Sequence, residues 1–138
     1  LKVNYESSVD WKVVTDHLLC NLSFYGQPWY DCALIQLMET ETVFVHLISI
    51  FTCNVLGVGS ISLAFVQLLT AKAGGTHRID INLWLICIKA APHNNPIFIP
   101  IQSILYGAVV APNPSHPSEF FVIDHIDGDM FLCMKSQK

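Results

Sequence analysis

The sequence predicts a mostly β domain, a small barrel or sandwich with one short N-terminal α-helix, on three observations. Short apolar runs rich in β-branched and aromatic residues recur from Tyr30 onward. Segments rich in Gly, Pro, Asn and Ser separate them at intervals of roughly ten residues, which is typical of all-β domains. The chain has 138 residues, so it is long enough for one domain with a buried core.

The N-terminal segment, residues 1–29, differs from the rest and is predicted to form a helix and a loop packed on the β domain. Its apolar residues have roughly helical spacing, and Ser8 or Asp10 could cap the first turn. These apolar residues are Val9, Val13, Val14 and Leu18. Gly26 and Pro28 predict a loop before the β-rich domain of residues 30–138.

Two long strands are predicted in the middle of the chain, after a short apolar strand over 32–37. Residues 43–55 alternate in polarity, as a half-buried strand does. The alternation predicts one apolar face made of Val43, Val45, Leu47, Phe51, Cys53 and Val55, opposite His46, Thr52 and Asn54. Gly57 and Gly59 predict a turn, and residues 61–71 form the second apolar strand.

The C-terminal half is predicted to contain further short strands. Residues 78–89 alternate and follow a turn at Gly74 and Gly75. Pro100 cannot lie within a central strand, so residues 96–112 are predicted to form a strand, a tight turn around Pro100–Ser103 and a second strand that ends at Pro112. This tight turn would suit a small SH3-like or BAH-like barrel. The last apolar segment, residues 119–135, is predicted to be extended and to turn at Asp127–Gly128.

Charge and cysteine content favour some classes of function over others. The chain is 52% hydrophobic and 13% charged, with a net charge of −4 and Arg78 as its one arginine. Nucleic-acid binding requires clustered Lys and Arg, so a protein partner or self-association is the better prediction. The five cysteines are widely spaced and match no metal or disulfide pattern. Free thiols and the absence of an apolar leader at residues 1–10 predict an intracellular protein, in the nucleus or cytoplasm.

The segment 42–71 contains no Asp, Glu, Lys or Arg, which raises the alternative of a small membrane-associated protein. Polar residues interrupt the middle of this segment, among them Asn54, Ser60 and Ser62. Two buried strands separated by a glycine turn therefore describe it better than one spanning helix.

An acidic cluster near the C-terminus is the one candidate for metal or acid–base chemistry. It comprises Asp124, His125, Asp127 and Asp129. The cluster fails the calcium-loop pattern, because alignment on Gly128 places Ile123 at the first ligand position. A turn is the preferred interpretation, with a metal-dependent hydrolase as the alternative. No catalytic residue, resident metal or cofactor is predicted.

Several segments, in order, carry a resemblance to a known family. They include FYGQPWYDCALIQL, FVHLISIFTCNV, PIFIPIQSILYGAVVAP and EFFVIDHIDGDMFLCMK. They resemble the C-terminal region of proteins encoded by DNA transposons of the Plavaka/KDZ type in mushroom-forming fungi, over residues 3–135. The resemblance implies that any DDE-type catalytic carboxylates lie upstream, so none is assigned here. It implies a non-catalytic accessory or interaction domain. The family's arginine-rich third strand is IDINLWLICIKA here, which weakens a phosphate-facing role.

Overall fold

The computed structural model describes residues 1–71, 86–90, 96–123 and 128–136, and it is mostly β. The strands are β1 (Lys2–Glu6), β2 (Val13–His17), β3 (Cys20–Phe24), β4 (Gln27–Tyr30), β5 (Cys32–Met38), β6 (Glu41–Val55), β7 (Gly59–Ala71), β8 (Ile86–Ala90), β9 (Ile97–Pro100), β10 (Ile104–Ala108), β11 (Val110–Pro112) and β12 (Glu119–Val122). A single 3₁₀ turn (Ile101–Ser103) joins β9 to β10, and α1 (Gly128–Ser136) follows β12. The predicted fold class is thus confirmed in its β character.

The predicted N-terminal helix is wrong, because this segment forms the β1–β2 hairpin. Trp11 has a φ of 59° and interrupts any helical path between Val9 and Val13. From Val13 to Leu18 the side chains alternate between exposed and more buried positions, which is the period of a strand. The helical spacing of Val9, Val13 and Leu18 was therefore coincidental, and the β-branched residues follow their strand preference.

The hairpin is attached to β10 at Gly107, where the two elements approach closely. The Gly107 N–H donates to Asp16 Oδ2 at 2.7 Å. A Cβ on Gly107 would lie 2.9 Å from Leu18 Cδ2, so a side chain there would require Leu18 to shift. The rings of Tyr5 and Tyr106, 5.0 Å apart, add a second contact between the hairpin and β10.

The main sheet is open, so it is not the closed barrel that the sequence allowed. Its strand order is β10-β5-β6-β7-β8-β12-β11, and β9 pairs with β7 beside β8. All pairings in it are antiparallel. Two separate two-stranded sheets, β1–β2 and β3–β4, lie outside it. Of the predicted strand 78–89, the described part is in β8; the predicted turn at Gly74–Gly75 lies outside the described residues.

The sheet is covered on both faces, and β5 belongs to two hydrophobic cores. Ala33 and Ile35 face the first core, which also contains Val45, Leu47, Ala64, Val66 and the hairpin residues Val3 and Leu18. Cys32 and Leu34 face the second, with Phe44, Leu69, Ile88, Val122 and Met130. Residues 32–35 are all buried for this reason, and their sequence shows a continuous apolar run rather than alternation.

A β-bulge in β6 reverses which residues face each side. Leu47 pairs with Val66 and Ser49 with Phe65, so Ile48 is the extra residue. Before the bulge Val45 and Leu47 face the first core, and after it Ile50 packs against that same core. Phe51, Cys53 and Val55 are consequently on the opposite face. The prediction that all six odd-numbered apolar residues share one face is wrong, because an extra residue shifts the alternation by one.

Beyond the bulge, β6 and β7 continue as a hairpin ribbon, which β9 flanks along Leu63–Val66 of β7. The described pairings of β6 with β5 end at His46, while its pairing with β7 continues to Val55. A turn closes the ribbon, with the Val58 N–H donating to the Val55 carbonyl at 3.1 Å. Gly57 has a φ of 81°, a conformation that a residue with a side chain rarely adopts, so the predicted glycine turn is confirmed.

Candidate interaction surface

The acidic cluster proves to include a structural aspartate. Asp129 is buried in the first turn of α1, where its negative charge is favourable for the helix dipole. Its Oδ1 accepts the Ser8 N–H at 2.5 Å. Asp124, His125 and Asp127 lie outside the described residues. Their predicted role as metal ligands, and the predicted turn at Asp127, are therefore not addressed by the structure.

Asp129 fixes the loop between β1 and β2 against the start of α1. At the same contact, a Cβ on Gly128 would lie 2.8 Å from Val9 Cγ2, so the loop and the helix approach closely. The prediction that residues 119–135 are extended is confirmed for β12 and wrong from Gly128 onward, because α1 begins there and buries Met130 in the second core. A cleft of about 430 Å³ opens beside this junction, lined by Tyr5, Leu105, Asp129 and Leu132 among others.

The structure brings together no group of metal ligands among the residues it describes. A cysteine and a histidine do lie opposite each other on β5 and β6, at Cys32 and His46. Burial, and secondarily the charge of Asp31, raises the pKa of the Cys32 thiol to about 12. Burial also lowers the pKa of His46. Near neutral pH the thiol therefore stays protonated and the imidazole neutral, which is the opposite of an activated cysteine nucleophile.

The four cysteines whose side chains are described, Cys20, Cys32, Cys53 and Cys87, are free thiols. This agrees with the prediction for those four positions. The side chain of Cys133 is outside those that the structure describes. Burial raises the pKa of Cys20 as well, with a further contribution from the charge of Asp31.

A first exposed apolar surface is the tip of the β3–β4 hairpin. Tyr25 and Gly26 have φ values of 51° and 80°, as a two-residue hairpin turn with the strand twist requires. Phe24 contacts both Tyr25 and Trp29, with ring centroids 4.8 and 5.7 Å apart. Asp31 anchors the hairpin, because its two carboxylate oxygens accept the Leu19 N–H and the Trp29 indole N–H, each at 2.7 Å.

A second apolar surface is one side of the β6–β7 ribbon, which we call the aromatic face. Directly paired residues share a side of a sheet, and the pairings place Phe51 opposite Leu63, Cys53 opposite Ile61 and Phe65 opposite Phe98. The aromatic face comprises Phe51, Cys53, Val55, Ile61, Leu63, Phe65 and Phe98. Phe98 stacks on Phe65 at 4.7 Å and meets Phe51 edge-on at 5.8 Å.

The other side of the same ribbon is polar. Thr52 pairs with Ser62, and their hydroxyl oxygens lie 3.0 Å apart. Asn54 pairs with Ser60 one step closer to the tip. The ribbon is therefore amphipathic, yet its apolar side is open to solvent: Phe98 is 62% exposed and Phe51 is 37% exposed. Contiguous exposed apolar surface is uncommon on a soluble domain and marks a site of interaction.

The sequence indicates an amphipathic strand here but does not show where the apolar side of that strand lies in the fold. The strict alternation of residues 51–55 indicates an amphipathic strand, and residues 42–71 carry no charge. Alternation alone predicts a single apolar face along residues 43–55, because nothing in the sequence marks Ile48 as a bulge. In the structure the same uncharged segment forms β6 and β7. None of the described helices is both long enough and apolar enough to cross a membrane.

Comparisons with known proteins identify no relative of this chain that shares its fold or its aromatic face. The resemblance to fungal transposon proteins therefore stays a prediction. No family model matches the chain, and neither the curated proteins nor the solved structures include a significant match.

Proposed function

We propose that this chain is a non-catalytic interaction domain that binds a protein partner through the aromatic face of the β6–β7 ribbon. The observation that supports the proposal is the amphipathic ribbon, with phenylalanines on the exposed apolar side and hydroxyl and amide side chains on the other. A partner that covers Phe51, Val55 and Phe98 removes apolar surface from water, which is the main favourable contribution to most protein–protein association.

The chemistry of this surface fits a protein better than a nucleic acid. The ribbon has no charged side chain, and the whole chain has a net charge of −4. Phosphate recognition depends on Lys and Arg, whereas aromatic residues are enriched at the centres of protein interfaces. Pairs of aromatic rings that are already in contact also lose little conformational entropy on binding.

The alternative of a metal-dependent hydrolase has weaker support. Asp129 is the one member of the acidic cluster within the described residues, and its carboxylate accepts a backbone hydrogen bond from Ser8. A carboxylate used in this way stabilises the junction between a loop and a helix, and a metal ligand role would compete with that bond.

We further propose that the domain derives from a fungal transposon-encoded protein and is located in the nucleus or cytoplasm. The quoted sequence segments support the origin, and the free thiols at Cys20, Cys32, Cys53 and Cys87 support a reducing compartment. The flanking coding sequence tests the origin, since an adjoining transposase core is expected. Microscopy of a fluorescent fusion tests the compartment, and a secreted product would contradict it.

A pair of lysine substitutions on one strand tests the interaction function. Phe51→Lys places a charge on the aromatic face, whereas Asn54→Lys places the same charge on the polar side of the ribbon. We expect affinity capture from the host cell to recover proteins with the wild-type chain and with Asn54→Lys that are lost with Phe51→Lys. Circular dichroism establishes that both variants are folded.

Two results would overturn the proposal. One is recovery of the same proteins with all three chains, because the aromatic face would then be irrelevant to binding. The other is hydrolysis of phosphodiesters or esters in the presence of a divalent metal, abolished by Asp129→Asn. That result would instead support the hydrolase.

A further inference from the structure

We infer that the partner on the aromatic face is a second copy of this chain, packed face to face across a two-fold axis. The inference rests on the proposed function and specifies the partner. Three properties of the ribbon lead to it: its neutrality, its geometry and its area.

Because the ribbon carries no charged side chain, two copies of its aromatic face bring no like charges together. Residues 42–71 contain no charged side chain, so two ribbons approach each other without repulsion although each chain has a net charge of −4. Specific recognition of an unlike partner usually relies on complementary charges, which this surface does not offer. An identical apolar surface, by contrast, is complementary without them, and a two-fold axis lets one patch serve both copies.

Geometry allows two aromatic faces to stack as two sheets do. Packed sheets lie about 10 Å apart and interdigitate the side chains of their facing sides. Phe51, Phe65 and Phe98 lie on adjacent strands and form a ridge of three rings. Because β6 continues past its last pairing with β5, the ribbon presents this ridge at the edge of the domain.

The available area predicts a weak dimer. Phe98, Phe51 and Val55 are 62%, 37% and 41% exposed. Together with the half-buried members of the aromatic face, they offer roughly 400 Å² per copy, at about 200 Å² for a whole aromatic side chain. A stable interface uses about 800 Å² per partner. We therefore expect association at micromolar or higher concentration.

Sedimentation velocity of the purified full chain, from low micromolar to several hundred micromolar, tests the inference. We expect a monomer that converts to a dimer as concentration rises, in the wild type and in Asn54→Lys. Phe51→Lys and Phe98→Lys, which place a buried charge in the stacked faces, should shift the midpoint at least tenfold higher. A dimer unchanged in both phenylalanine variants would overturn the inference.

Thiol labelling provides a second measurement that does not depend on substitution of the aromatic face. Cys53 lies within the face between Phe51 and Val55, whereas Cys20 lines a cleft beside β3. Under limiting maleimide, the labelling rate of Cys53 should fall as the protein concentration rises, and that of Cys20 should stay constant. Equal concentration dependence at the two thiols would contradict face-to-face packing.

The two proposals fail in different ways. A wild-type chain that stays monomeric at every concentration overturns the dimer. If Phe51→Lys nevertheless loses a captured protein that Asn54→Lys retains, the interaction function stands with an unlike partner. If Phe51→Lys has the same molecular mass in sedimentation as the wild type and captures the same proteins, both proposals are wrong.

Discussion

Single residues in this chain show how ionisable side chains can be used for structure. Asp129 belongs to the most acidic stretch of the sequence, yet its carboxylate accepts the N–H of Ser8 across 121 residues of chain. Asp16 likewise accepts the backbone N–H of Gly107 on β10. Asp31 accepts the Leu19 N–H and the indole N–H of Trp29. Each carboxylate satisfies an N–H that the packing of a hairpin would otherwise leave without a strand partner.

Replacement of Asp129 by Ala should destabilise the fold by about 1–3 kcal/mol, because it removes the acceptor from a partly buried N–H. Asp129→Asn retains one acceptor oxygen, so a smaller loss is expected. Chemical denaturation measures both. Asp10→Ala is the control, since Asp10 is exposed and pairs with Lys12 within its own loop. Equal effects of Asp129→Ala and Asp10→Ala would show that the bond to Ser8 is unimportant.

His46 should make the fold sensitive to mild acid. Burial lowers its pKa from the ordinary value of 6.5, so the unfolded chain binds a proton at a higher pH than the folded chain does. The contribution of neutral His46 to the free energy of unfolding is fully present above pH 6.5. It is lost as the pH falls through the folded-state pKa. We expect urea midpoints of the wild type to fall more between pH 7 and pH 5 than those of His46→Phe, which retains a ring against Phe120. Parallel curves for the two chains would contradict this.

Among the elements, the β6–β7 hairpin carries the candidate site. One inserted residue, Ile48, decides on which side of the hairpin its apolar residues lie. The bulge at Ile48 turns Phe51, Cys53 and Val55 away from the first core while Ile50 remains against it. If Ile48 were paired regularly instead of being bulged, one apolar stripe would run along the whole strand, and the ribbon would expose its polar side alone.

A pair of deletions tests this account of the bulge. Deletion of Ile48 leaves every other residue of β6 on its present side, so the chain should still unfold cooperatively, at a cost of about 1–3 kcal/mol. Deletion of Val45, within the regularly paired part, moves Val43 and Phe44 to the wrong sides and should abolish cooperative unfolding. Thermal denaturation followed by circular dichroism distinguishes the two. A Val45 deletion as stable as the Ile48 deletion would refute the register.

Local patterns predicted some elements correctly and misplaced others for definable reasons. The glycine turn between β6 and β7 and the division of the chain at Pro100 follow from backbone restrictions that act locally. The bulge does not, because no Gly or Pro beside Ile48 marks the position of the extra residue. The missed helix α1 has few residues and weak helical periodicity, and burial of Met130 in the second core favours it. The aromatic face could not be located until the bulge was known.

For the molecule as a whole, the two cores share β5, and neither can be lost alone. Leu34 and Ile35 are neighbours in sequence, both fully buried, and each faces a different core. Disruption of either core therefore removes support from the strand on which the other depends.

Amide hydrogen exchange should reflect this arrangement. The slowest exchange is expected in residues 32–36 of β5 and in the parts of β6 and β7 that flank Val45 and Val66, at rates set by global unfolding. The β3–β4 hairpin and the turn at Leu56–Val58 should exchange much faster, because few buried contacts hold them. Mass spectrometry of peptides from these regions measures the difference. Uniform protection over these regions would contradict a strand shared by both cores.

The position of β5 between two cores also governs how such a sequence can change over time. On a strand with one solvent-exposed side, every second position accepts polar replacements, and related chains diverge at those positions. Cys32, Ala33, Leu34 and Ile35 allow no such alternation, because each consecutive side chain is enclosed. Divergent copies of this domain should therefore retain an unbroken block of four small or aliphatic residues there, while the positions around it drift.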